Sequence, residues 1–209
     1  MMYLYYIFIG IILLYSIIFH ELAHAKASDM LGDPTPRYAG RLTLNPLPHL
    51  DPIGTLLPFF LLFSGAPIVF GWARPVPINP YNFRDYKKGT LIVSSAGIVT
   101  NLFIAWLLAT VLKFLPLLSG DGILFLRGVL EFGVLINVVL AVFNLIPVPP
   151  LDGSKILFSF LSYEHSPLIY QLERYGFLIL IFILIFPPTS YFLRFVINFV
   201  YRFLTISIF

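Results

Sequence analysis

The chain has 209 residues, of which 59% are hydrophobic and 11% charged, with a net charge of +3. Soluble domains carry about 25% charged residues, so a protein of this make-up must turn apolar side chains toward lipid. Its few basic residues lie in short loops and point to no nucleic-acid partner, and the absence of cysteine leaves His, Asp and Glu to hold any transition metal.

Met1 to Phe19 contains no charged side chain. The first apolar stretch, about Tyr3 to Ala27, reads as a spanning helix. It is too long for the apolar region of a cleavable signal, and it ends in His20-Glu21-Leu22-Ala23-His24. A second stretch, Ile53 to Trp72, is broken by Pro58, Gly65 and Pro67. A third runs from Thr90 to Leu115. A fourth runs from Ile123 to Ile146 and carries Arg127 and Glu131, which are four apart and able to pair. A proline-rich element and Ile156 to Leu161 follow. Phe177 to Phe186 and Tyr191 to Phe209, separated by Pro187-Pro188, read as a short helical hairpin. The expectation is an all-α polytopic membrane protein with five or six membrane segments, forming one domain over residues 1–209.

Charge gives the topology. Lys26, Arg37 and Arg41 follow the first span, and Arg74, Arg84, Lys87 and Lys88 follow the second stretch. Positive-inside counting puts both groups on the cytoplasmic side. Ile53 to Trp72 therefore reads as a re-entrant or distorted segment, of the kind tolerated where protein or water covers its freed backbone groups.

HExxH on a helix is a zinc-hydrolase signature. Residues four apart share a helix face, with Cβ atoms about 5–6 Å apart, so His20 and His24 can both reach one ion. Glu21 lies about 100° round the helix, a poor third ligand but a good neighbour for a water whose pKa a metal has lowered toward about 7. Lys26 marks the membrane interface, and at about 1.5 Å per residue the site lies about 9 Å inside it. Catalytic zinc keeps three protein ligands and an open position. Asp152, His49, Asp51, Glu131 and His165 are candidates for the third. Asp152 stands out because it ends Asn144-Leu-Ile-Pro-Val-Pro-Pro-Leu-Asp152-Gly153, where a hydrophobic helix runs into prolines. Its competing role is the N-cap of the following helix.

These two motifs together resemble the site-2 protease family of intramembrane zinc metalloproteases. A third family element, GxxxN in a middle membrane segment, matches Gly97-Ile-Val-Thr-Asn101. The resemblance covers about Ile11 to Phe160 and is closest to the compact branch without PDZ or CBS domains. It implies one zinc ion per chain, Asp152 as the third ligand and Glu21 as general base. It also implies that Asn144 and Asn101 bind the substrate strand or stabilise the oxyanion, a donor role worth about 2.7–4 kcal/mol. It further implies a small membrane-associated β element that aligns the substrate, for which Thr43 to Asn45 and Val76 to Ile78 are the extended candidates. The implied substrate is a membrane protein cleaved within or beside a transmembrane segment, at a site toward the cytoplasmic side of the cell membrane. Two other classes use the same ligands: a metal transporter, which needs a polar path across both leaflets, and a non-catalytic homologue that binds membrane proteins.

Overall fold

A computed structural model describes residues 2–64, 73–115, 121–161 and 166–206. Eight α-helices are described: α1 (Met2–Met30), α2 (Thr35–Tyr38), α3 (Pro52–Phe63), α4 (Tyr86–Phe114), α5 (Asp121–Asn144), α6 (Asp152–Phe160), α7 (Ser166–Ile185) and α8 (Pro187–Ile206). Single 3-10 turns occupy Leu47–His49 and Pro80–Asn82. Among the described residues there is no strand.

Among the described residues, four helices are long and apolar enough to cross a membrane: Tyr3–Met30, Tyr86–Phe114, Gly122–Asn144 and Pro167–Ile185. This is fewer than the five or six segments expected. The described part of the second stretch, α3, has 12 residues, about 18 Å of helix against a hydrocarbon core of about 30 Å. Trp72, Gly65 and Pro67 lie outside the described residues. α7 and α8 are each 20 residues long, longer than the expected short hairpin. Pro187 and Pro188 do not separate two helices so much as begin α8, because proline lacks only an N–H that the first turn leaves unpaired.

α4 and α5 meet through small and β-branched side chains, Ala105 and Ala109 against Val134, Val138 and Val142, and α8 covers this seam with Leu193, Val196, Ile197 and Val200. Small residues let spanning helices approach closely where lipid offers no hydrophobic drive. The outward faces are apolar, with Tyr3, Phe60, Phe103 and Phe195 all exposed. That pattern belongs in lipid.

The bundle's order fixes which ends meet. His24 contacts Val93, His20 contacts Asn101, and Ser16 also contacts Asn101, so α4 runs antiparallel to α1. Tyr5 meets Gly128 and Ser16 meets Asn137, so α5 runs parallel to α1. The chain thus leaves α1 and enters α4 at one end of the bundle.

Candidate metal centre and active site

Ser16, His20 and His24 are spaced four apart on α1, and all three are buried. Helical spacing explains their shared face. Asp152 reaches the same place from the far end of the chain. Proline cannot continue a helix, so α5 ends before Pro147, and the chain turns back through Pro149 and Pro150 into α6. The turn is tight: a Cβ on Gly153 would collide with the Leu145 carbonyl. Asp152 is the first residue of α6, and Leu151 holds the N-cap position with no side-chain capping bond. The Asp152 carboxylate is left to face the histidines.

Asp152 Oδ2 lies 3.2 Å from His20 Nε2 and 3.0 Å from His24 Nε2, and the two Nε2 atoms are 3.0 Å apart. The outer nitrogens decide what these atoms carry. His20 Nδ1 donates to Asn101 Oδ1 at 2.5 Å, and His24 Nδ1 donates to the Val93 carbonyl at 2.7 Å. Both acceptors are oxygens, so each ring places its proton on Nδ1 and turns a lone pair inward. Two lone pairs and a carboxylate oxygen then face one another within 3.2 Å, an arrangement that a cation relieves. Tetrahedral ligands about 2.0–2.1 Å from zinc stand about 3.3 Å apart, so the donor set and its spacing suit that ion. Among the described residues this is the one cluster of three His, Asp or Glu side chains that converges so.

Ligand orientation is built in from the neighbouring helices, as metal-binding histidines require. Asn101 is fully buried; besides accepting from His20, its amide donates to Asn137 Oδ1 at 2.8 Å and to the Ser16 carbonyl at 3.3 Å. Asn137 in turn donates to Ser16 Oγ and to the Gly133 carbonyl. One turn from Asn101, Gly97 makes room for the rings: a Cβ there would lie 2.5 Å from both His20 Cε1 and His24 Nε2. GxxxN here is a cradle, with glycine giving space and asparagine giving direction.

Glu21 is half-buried on α1, and its Oε2 accepts the Val76 backbone N–H at 3.0 Å. That N–H belongs to an irregular strip, residues 73–79, fastened by two buried side chains. Arg41 donates to the carbonyls of Pro48, Arg74 and Pro75. Asp33 accepts from Ser28, from Thr35, from the Asn79 N–H and from Asn82. Burial, then the charge of Arg74, lowers the Arg41 pKa below its usual value, while Glu21 acts the other way.

The sequence profile of peptidase family M50 matches residues 123–187, the part that carries Asp152. YwhC of Bacillus subtilis, named as a candidate zinc metalloprotease, is 37% identical over 88% of this chain and 83% of its own length. The chain belongs to peptidase family M50. Rip2 of Mycolicibacterium smegmatis, also named as a candidate zinc metalloprotease, is 32% identical over 85% of this chain and 66% of its own length. MJ0611 of Methanocaldococcus jannaschii, named likewise, is 35% identical over 43% of this chain and 46% of its own. No solved structure matches the chain. The family is that of the site-2 proteases, as the motifs led one to expect, and this member is a zinc-dependent hydrolase.

In this M50 chain the other candidate ligands lie elsewhere. His49 is buried and donates from Nε2 to the Thr43 carbonyl. Asp51 accepts the Gly54 N–H at the start of α3, and Glu131 pairs with Arg127 at 2.8 Å. His165 lies outside the described residues. The two asparagines expected to face substrate make hydrogen bonds within the protein. Both N–H bonds of Asn101 are engaged inside the bundle, and Asn144 donates to the Leu140 carbonyl of its own helix at 2.9 Å. The segments expected as a β element are held by side chains: Thr43 by His49, and the 73–79 strip by Glu21, Arg41 and Asp33. Ser16, Asn137, Arg41 and Asp33 belong to no motif that the sequence displays. An asparagine in a spanning segment is the one available signal for Asn137.

Proposed function

We propose that the protein is an intramembrane endopeptidase, a single domain over residues 1–209, that cuts peptide bonds within or beside a transmembrane segment of another membrane protein. One observation carries this reading: three inward-facing donor atoms converge on a buried point flanked by a helix long and apolar enough to span a bilayer. His20, His24 and Asp152 would hold zinc. Zinc, when bound, supplies a Lewis acid and lowers the pKa of water toward about 7.

The chain's own residues supply the rest. Glu21 takes the proton of the attacking water and returns it to the leaving amine, a role worth about 10²–10⁴-fold. The Val76 N–H holds its carboxylate in place. Asn101, backed by Asn137 and Ser16, sets the tautomer and tilt of His20. The 73–79 strip passes beside Glu21 and is where an extended substrate segment would lie. A helical peptide bond is shielded, so the substrate segment must unwind locally. The basic loops around Arg41 and Arg84 favour a cytoplasmic-side site in the cell membrane.

Against transport, the buried interior beyond Asn101 and Asn137 is Ala105, Ala109 and Val134, which offers an ion no polar path among the described residues. The test is reconstituted protein with a single-span substrate. Cleavage that stops on chelation and returns with zinc supports the reading. Zinc flux without cleavage overturns it in favour of transport.

A further inference from the structure

The metal centre opens on one side into a cavity of about 190 Å³. His24 and Asp152 belong to its lining, with Lys155 beside Asp152, and Val76, Ile78, Phe83 and Val93 supply apolar lining. We propose that this cavity is a specificity pocket that receives one of the two side chains flanking the scissile bond, and that it selects an aliphatic or phenyl group of medium size. The inference rests on the protease reading above and names the residues that choose its cleavage site.

Position argues first. A carbonyl presented to the ligands has its neighbouring side chain within reach of a cavity that shares those ligands. Chemistry argues second. A basic side chain would meet the Lys155 ammonium at the same lining, which lies 3.4 Å from Asp152 Oδ1, and an amide would lose its hydration against the apolar residues. The Thr90 hydroxyl, also at the lining, is already bonded to the Tyr86 carbonyl. Size argues third: an apolar cavity of about 150 Å³ accepts a benzene ring, so leucine, methionine or phenylalanine fits here.

The walls are also tied to the machinery. Val76 gives its N–H to Glu21, and Val93 gives its carbonyl to His24. Phe83 is pressed on Gly89, where a Cβ would lie 2.5 Å from the ring. A side chain that fills the pocket thereby sets the peptide bond relative to base and ligands, and one that leaves it empty does not.

The test uses the full zinc-loaded chain and single-span peptides that carry Leu, Phe, Ala or Lys at each position flanking the cut. At one of the two positions Leu and Phe exceed Ala by about tenfold or more in kcat/KM, and Lys is refused. Ile78→Trp, which fills the cavity, reduces the Leu-over-Ala ratio to about one. A readout independent of turnover accompanies these: photo-leucine at that position, on the Glu21→Gln protein, crosslinks to residues 76–83 or Val93. Equal rates for Leu and Ala at both positions, a ratio unchanged in Ile78→Trp, or crosslinks confined elsewhere overturn the pocket alone. No cleavage of any peptide by the wild type overturns the protease reading and the pocket with it.

Discussion

At the scale of single residues, the chain shows how much ligand geometry depends on side chains that never touch the reacting atoms. His20 and His24 are legible from a five-residue spacing, because one helix carries both. Asp152 is legible from its setting, where prolines break a spanning helix. Asn137 is not, since its partner Ser16 is 121 positions away and no local pattern links them. The GxxxN pattern marks Asn101, whose amide bonds His20, Asn137 and the Ser16 carbonyl inside the bundle. Losing such an orienting partner typically costs a metal site about 10–100-fold in affinity. Asn101→Leu is therefore expected to weaken zinc binding by about 10–100-fold in a competition titration. Gly97→Val is expected to lose zinc in the same assay, because its Cβ would occupy the volume of both rings.

At the scale of elements, the unexpected part is the strip of residues 73–79 that leads toward α4. The family resemblance implies strands at Thr43 to Asn45 and Val76 to Ile78. Side chains hold them instead, and side-chain partners 33 and 46 positions apart, as in Arg41 with Arg74 and Asp33 with Asn79, leave no periodic trace. Asp33 makes the strip sensitive to acid. Burial alone would raise its pKa, but hydrogen bonds from Thr35, Asn79, Asn82 and Ser28 outweigh it and bring the carboxyl to about 2. Its unfolded value is about 3.9. A depressed carboxyl stabilises the fold fully above the unfolded value, and that stability is lost as pH falls through the folded one. The shift corresponds to about 2–3 kcal/mol. Asp33→Asn should therefore melt below the wild type at pH 7, with the gap closing as the pH falls from about 4 toward 2. Thermal denaturation across that range checks it; a gap that stays constant with pH contradicts it.

At the scale of the whole molecule, charge and parity carry further than hydropathy. Basic loops on both sides of Ile53 to Trp72 place the end of α1 and the start of α4 on one side, and the antiparallel packing of α1 and α4 has the same parity. α8 carries Arg194 and Arg202 and is not among the four described helices long and apolar enough to cross a membrane. Its exposed phenylalanines and its seat on the α4–α5 seam come from tertiary packing that composition does not encode. The arrangement brings His20 and Asp152, 132 positions apart, to one depth in the bundle and sets Glu21 beside them on a fixed N–H. The most direct test of this account is the rate at which zinc-loaded protein in bilayers cleaves a single-span substrate, compared with Glu21→Gln at equal zinc content. The account predicts a loss of about 10²–10⁴-fold with zinc still bound; cleavage at the wild-type rate in Glu21→Gln would contradict it.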